Sequence, residues 1–207
     1  MAVKVAVADY GCGNIKSVVN ALNVVGAEVH IAKDASELAL GDKIILPGVG
    51  AFREAMEHLH TRDFIGSLKD EVFDKGKDIL GICLGMQLLC RGSDEGGDIP
   101  GLAWVDADVK HFNSLGLQGL KVPHMGWNEL MIQRSHTLVG GIDQCSDVYF
   151  VHSHAVQCDH LDDVLTYTDY GVKFVSSFAK DNIFGMQFHP EKSHKVGLHI
   201  LKNFVEA

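Results

Sequence analysis

The sequence predicts an α/β fold: a doubly wound, mostly parallel central sheet with flanking helices and an antiparallel extension. Two observations predict it. Through the first 90 residues, short apolar runs alternate with stretches of helical period, the pattern of a parallel sheet with helices on both faces. Residues 101–178 carry segments of alternating polarity instead, which read as antiparallel strands and hairpins.

Each element follows in order. Val3–Ala8, Lys43–Leu46, Asp78–Cys83 and Asn182–Phe188 are short apolar runs of the kind that form buried strands. Between the first two, Ile15, Val18, Val19, Leu22 and Val25 recur at helical spacing, and Gly26 is a natural helix end. Glu28–Ile31 then reads as a strand. Gly50–Lys75 reads as mostly helix, with Phe52, Met56, Leu59, Ile65, Leu68 and Val72 as its apolar positions. In the second half Trp104–Val109, Asp147–His152, Val164–Thr168 and Val172–Phe178 read as strands, and a helix over Lys195–Val205 closes the chain. No Pro/Ser-rich linker, repeat or low-complexity segment interrupts this order. At roughly 150 residues per domain, the 207 residues are expected to form a single domain, 1–207.

Composition narrows the function. Apolar residues are 46% and charged residues 22%, ordinary for a globular protein. No apolar run approaches the roughly 18 residues that span a bilayer, so no membrane association is expected. Met1–Ala8 lacks the apolar core and cleavage site of a signal peptide, which points to the cytoplasm. Net charge is −9 with only 18 Lys and Arg and no basic cluster, which argues against a nucleic-acid partner. The five cysteines are odd in number and form no C-x-x-C pair, so neither a disulfide framework nor a zinc ribbon is expected.

One cysteine stands apart. Gly81-Ile-Cys83-Leu-Gly85 follows an apolar strand and leads into a helix-like Met86–Cys90, giving G-x-nucleophile-x-G with cysteine in the serine place. The glycines allow a sharp strand-to-helix turn that thrusts the nucleophile out at the sheet end. The helix start offers backbone N–H groups to an oxyanion. A thiolate nucleophile needs a base, and the base needs an orienting acceptor. Ile183-Phe-Gly-Met-Gln-Phe-His189-Pro-Glu191 is a strand ending in a histidine, with a carboxylate two residues on. On extended backbone these two face the same way. Glu191 can then hold one imidazole nitrogen while the other faces Cys83. Leu46-Pro-Gly-Val49-Gly50-Ala-Phe52, also directly after a strand, reads as the second half of an oxyanion hole. Taken singly, each has a structural reading: a buried thiol, a strand-end histidine, a surface glutamate, a glycine turn.

Together these segments resemble the class I (triad) glutamine amidotransferases. Gly-Ile-Cys83-Leu-Gly-Met-Gln87 matches that family's nucleophile elbow, and Gln-Phe-His189-Pro-Glu191 its His–Glu block. Within the family, the chain is most similar to the glutaminase subunits of imidazole glycerol phosphate synthases of histidine biosynthesis. Asp9–Asn14, Leu46–Phe52, Lys121–Asn128, Tyr149–Ser153 and His189–Ser193 carry that likeness.

The resemblance implies a flavodoxin-like fold and a Cys83, His189, Glu191 triad that hydrolyses L-glutamine to glutamate and ammonia. It places the oxyanion hole at the Leu84 N–H and an N–H from Val49–Gly50, and the substrate against Gly50, Gln87, His152, Ser153 and His154. It puts Asn14, Lys121, Trp127 and Lys192 at the interface with a separate ammonia-accepting synthase chain, a cyclase of the imidazole glycerol phosphate type. No cofactor and no metal are implied. On the residues alone, Trp127 reads as a packing aromatic. The chain departs from the family pattern at His154, where a tyrosine is usual, and over Arg91–Ala107. Since similar glutaminases also feed amidotransferases of bacterial surface sugars, that is the alternative pathway.

Other chemistries find less support in the residues. His152-x-His154 on one strand would point both rings to one side and could hold zinc with His189 or an acidic residue as third ligand; its place beside the glutamine pocket explains it without a metal. His58 and His60 read as solvated helix residues, Cys12 as a loop or packing thiol without a base, and Cys90 as buried. No P-loop pattern occurs. A cysteine hydrolase on the same elbow usually carries histidine next to the nucleophile, where this chain has Leu84. A non-catalytic scaffold would not need the intact triad.

Overall fold

The computed structural model describes residues 2–207. In the first half β1 (Lys4–Ala8), α1 (Ile15–Val24), β2 (Glu28–Ala32), β3 (Lys43–Gly48), α2 (Phe52–Thr61), α3 (Phe64–Lys69), β4 (Ile79–Cys83) and α4 (Leu84–Leu88) follow one another. Strands β5 (Gly92–Ser93), β6 (Ile99–Pro100), β7 (Ala107–His111), β8 (His124–Ile132), β9 (Ser146–His152), β10 (His154–Cys158), β11 (Val164–Asp169), β12 (Lys173–Lys180) and β13 (Ile183–Met186) come next. Helix α5 (His194–Glu206) closes the chain.

The central sheet runs β2-β1-β3-β4-β13-β12-β10-β7-β5-β6. Its first five strands are parallel. Strands β3, β4 and β13 are buried at every residue, which is why they read as unbroken apolar runs rather than alternating ones. Alternate residues feed two cores. Ala6, Ile44 and Leu46 pack with Phe52, Leu59 and Phe64 beneath α2 and α3. Val5, Val7, Ile45 and Leu80 pack with Val18 and Leu22 of α1 and Ile200, Leu201 and Phe204 of α5. Helices therefore cover both faces, as the doubly wound reading requires.

From β12 onward the pairing is antiparallel, except that β5 lies parallel to β7. Strand β11 pairs with β12 and hands on to β8, which pairs with β9 along its length from His124↔His152 to Leu130↔Ser146. This is the antiparallel extension.

The structure corrects several boundaries. The expected helix over 50–75 breaks at Asp63, whose φ of 61° is left-handed and ends α2. The strand expected at Trp104–Val109 is instead Ala107–His111. Residues 102–105 cap a helix instead of forming a strand. The Leu102, Ala103 and Trp104 N–H groups donate to the Leu88, Cys90 and Leu89 carbonyls at the end of α4. Strands β8 and β10 have no counterpart in the sequence reading. Among the described residues, no helix is long and apolar enough to cross a membrane.

Candidate active site

The elbow is built by close packing. Cys83 sits at the β4–α4 junction with φ 54° and ψ −109°, a conformation that costs a non-glycine residue on the order of 1–3 kcal/mol. It is tolerable only because the surroundings over-determine it. A Cβ on Gly81 would lie 2.6 Å from the Gly85 carbonyl oxygen, and one on Gly85 would overlap the Leu46 carbonyl. Helix α4 thus lies directly on β3 and β4, and the strand has no route onward except through the turn at Cys83.

Cys83 opens onto a cavity of about 310 Å³ lined by Val49, Gly50, Leu84, Gln87, Glu95, Val151, His152, Ser153, His154 and His189, with Pro123 at its side. Every residue expected to bind substrate or to form the oxyanion hole lines this cavity. Gly50 has φ of 105°, a conformation open to glycine but strained for other residues. Leu84 begins α4, so its N–H has no intrahelical partner.

His189 follows β13 and is 1% exposed. Its Nδ1 lies 2.8 Å from Glu191 Oε1, and the Glu191 side chain is also 1% exposed. The pair was expected on extended backbone. The structure makes it instead with Pro190–Lys192 in a 3₁₀ turn, which folds the carboxylate back under the ring. Glu191 is therefore no solvated surface charge. With Nδ1 taken, Nε2 has no nitrogen or oxygen partner, and the Cys83 thiol is the group that it addresses. Burial alone would push this imidazole down, but its hydrogen bonds and charge interactions with Cys83 and Glu191 outweigh burial and raise it to about 9.

The opposite wall is uncharged. The chain breaks between β9 and β10 at Ser153, so His152 and His154 end and begin different strands rather than sharing one. His152 turns its Nδ1 to the His154 carbonyl (2.8 Å) and its Nε2 to His124 Nδ1 (3.0 Å). His154 Nε2 lies 3.7 Å from Asp94 instead. The two rings go to different partners, which undoes the basis of the zinc alternative. Burial holds His152 down at about 3 and His124 at about 4.

Three residues here escape the sequence reading. Gln187, fully buried, donates from Nε2 to Cys83 Sγ at 3.6 Å and accepts from Gln87 at 2.9 Å. It lies two residues before His189, a period-two signal present in the Ile183–Glu191 segment. Glu95 places a carboxylate in the cavity while accepting from the Phe52 N–H at the start of α2; no motif announces it. His124 lies in the Lys121–Asn128 segment, where no spacing singles it out. Two further readings are corrected. Cys12 does have an imidazole beside it, His58 Nδ1 at 3.3 Å, and His58 is half-buried rather than solvated. Burial raises the Cys12 thiol, with Glu54 adding to the rise and Arg62 opposing it. Cys90 is buried, as expected.

The family model described as glutamine amidotransferase class-I matches residues 6–207. The chain belongs to that family. It is 45% identical to imidazole glycerol phosphate synthase subunit HisH 2 of Pseudomonas aeruginosa, over 98% of each chain. It is 48% identical to subunit HisH 1 of Campylobacter jejuni, over 97% of this chain and 98% of that one. Subunit HisH of Bacillus cereus is 47% identical, over 97% of this chain and 93% of the relative. Among solved structures, a glutamine amidotransferase aligns with TM-score 0.76 at 18% identity, covering 98% of this chain and 97% of the other. PurLQS from Thermotoga maritima aligns with TM-score 0.71 at 16% identity, covering 100% of this chain and 99% of the other. These two share the fold. The elbow, the His–Glu pair and the shared cavity all lie within the residues that the family model matches.

Of the expected interface residues, Lys121, Trp127 and Lys192 are exposed. Trp127 is 47% exposed and stacks on the His194 ring (4.9 Å between centroids, 8° between planes). Its edge meets Tyr149, over whose ring Lys192 Nζ lies at 5.8 Å. Trp127 and Lys192 therefore converge on Tyr149. Asn14 precedes α1, half-buried, and Lys121 is exposed, its carbonyl accepting from Tyr170.

Proposed function

We propose that this chain is the glutaminase subunit of an imidazole glycerol phosphate synthase, hydrolysing L-glutamine and passing ammonia to a separate synthase subunit in histidine biosynthesis. The observation that carries it is Cys83 on a strained elbow, sharing one cavity with a His189–Glu191 pair. The high identity to subunits carrying that name, over nearly the whole of both chains, supports the pathway over the surface-sugar alternative. Residues 1–207 act as one amidotransferase domain. The five unpaired cysteines suit a reducing compartment, the cytoplasm.

The Cys83 thiolate attacks the carboxamide carbon, and the carbonyl oxygen takes the negative charge. The Leu84 N–H and an N–H of Val49–Gly50 receive that oxyanion; loss of one such donor typically costs on the order of 10²–10³ in rate. Protonated His189 gives its Nε2 proton to the nitrogen as the C–N bond breaks, and ammonia leaves. The γ-glutamyl group is now a thioester on Cys83. Neutral His189 takes a proton from water, the hydroxide adds, and the C–S bond breaks to return the thiolate and release glutamate. Glu191 holds the ring through Nδ1 and stabilises its charged form. The substrate's ammonium end finds the Glu95 carboxylate, and its remaining polar groups find Gln87 and the main chain of 152–154.

Asn14, Lys121, Trp127 and Lys192 face the synthase subunit. Co-purification with the candidate cyclase, followed by a glutamine-dependent assay with its acceptor, tests the pathway. Formation of imidazole glycerol phosphate from glutamine supports it. Turnover only with a surface-sugar acceptor and its own synthase would overturn it.

A further inference from the structure

His152 forms part of the cavity wall, yet both its ring nitrogens are taken by the protein itself, Nε2 by a second buried imidazole. The hydrogen bonds around the two rings admit one arrangement of protons. The His154 carbonyl can only accept, so His152 Nδ1 carries hydrogen and donates to it. Neutral His152 then has an acceptor at Nε2, and His124 Nδ1, 3.0 Å away, must be the donor. That leaves His124 Nε2 as an acceptor, and Asn128 Nδ2 supplies a hydrogen at 3.3 Å. The Asn128 amide is itself oriented by its bonds to the Asp169 carbonyl and the Glu129 N–H. The chain runs in one direction: Asn128 to His124 to His152 to the His154 carbonyl.

It does not stop there. The same His154 carbonyl accepts from Gln87 Nε2 at 3.1 Å, and through Gln87 and Gln187 the network reaches Cys83 Sγ. An added proton on either ring would set two donors against each other. Burial, which keeps both imidazoles uncharged near neutrality, agrees with this arrangement. The His124 ring is clamped by stacking on Phe150 (4.8 Å between centroids) and Tyr170 (4.1 Å), so its Nδ1 is aimed by packing rather than chosen by rotation.

We propose that His124, which does not itself line the cavity, is a positioning residue for glutamine: its Nδ1 hydrogen holds His152 and thereby fixes the His152–His154 wall in its substrate-binding geometry. This rests on the glutaminase reading of the cavity. The role extends the site to β8, the strand that also carries Trp127.

Two variants separate the donor from the packing. His124→Phe keeps a flat ring between Phe150 and Tyr170 but has no hydrogen to give. In His124→Asn the amide reaches the place of Nδ1 and can donate, while the stacking surface is lost. The expected result is a glutamine KM raised about tenfold in His124→Phe, with kcat within threefold of the parent and little change in Tm. In His124→Asn, KM returns to within threefold although Tm falls. A merely structural role would make KM follow Tm instead. Nitrogen-15 spectra of the imidazoles give a readout without substrate: both His124 and His152 should carry hydrogen on Nδ1, the less usual tautomer. An unchanged KM in His124→Phe, or hydrogen on His152 Nε2, would overturn the proposal. Cys83→Ala, assayed in parallel, should be inactive. Hydrolysis persisting there would sink the glutaminase reading and the substrate role of His124 with it.

Discussion

Two walls of one cavity each present a histidine, and the two have opposite electrostatics. His189 is 1% exposed and His152 is 6% exposed, so burial penalises the charge on both. His189 stands beside a carboxylate and a thiol and is raised to about 9. His152 faces a carbonyl and a second imidazole, with no carboxylate to oppose burial, and burial takes it down to about 3. The difference teaches that burial decides protonation only where no neighbouring group opposes it, as it does at His152 and does not at His189. It also divides the labour. The wall on β4 and β13 can hold and move a proton, while the wall on β9 and β10 is fixed in one neutral state and offers shape and main-chain groups.

The largest break comes from the reactive wall. Cys83→Ala should lower glutamine hydrolysis by at least about 10⁴-fold while leaving ammonia-supported turnover by the synthase subunit intact, as assayed with glutamine and with ammonium salts. Glu191→Gln keeps the shape and removes the charge. It is expected to cost about 10²–10³ in kcat, with the His189 titration, followed by NMR, falling from about 9 because one of the two groups that oppose burial is gone. Persistence of the raised value would mean that Glu191 is not what lifts it.

Gly85→Ala tests the packing that creates the elbow. Its new methyl would collide with the Leu46 carbonyl, so a loss of roughly 3 kcal/mol or more is expected in denaturant unfolding. A pH series sharpens the comparison by sign. His189 has a folded value above its unfolded value near 6.5, so its stabilisation is full below pH 6.5 and lost as pH rises toward 9. His152 and His124 have folded values below 6.5; theirs is full above pH 6.5 and lost as pH falls toward 3. At about 1.4 kcal/mol per pKa unit, the alkaline limb should amount to about 3 kcal/mol and the acid limb, which sums two histidines, to roughly twice that. Glu191→Gln should flatten only the alkaline limb of Tm against pH.

The same division explains how much of the molecule is legible in its sequence. The parallel half is legible because its strands are buried on both faces and read as apolar runs, and because its chemistry sits in local glycine motifs: the elbow around Cys83 and the turn at Val49–Gly50. His189 and Glu191 are legible because they are two residues apart. The antiparallel half is legible only in part: β9, β11 and β12 lie where the alternation puts them, and β8 and β10 go unread. Strand β8 mixes buried and exposed positions without strict alternation, so it offers no period. Strand β10 is separated from β9 only by Ser153, and in sequence the two run together. The partnership of His124 with His152 depends on the β8–β9 register, which no local pattern encodes. Glu95 enters the cavity from a short loop, where burial leaves no trace in the sequence.

The central claim is that turnover passes through a thioester on Cys83, with His189 as the proton carrier. Acid quenching of the enzyme during glutamine turnover, with and without the synthase subunit, followed by mass spectrometry of the peptides, tests it directly. The expected result is a γ-glutamyl group on the peptide containing Cys83, at no more than one per chain and with a larger fraction of chains labelled in Glu191→Gln, whose thioester hydrolysis is slowed. Turnover with no such adduct, or with the label on Cys12 or any other residue, would contradict the account.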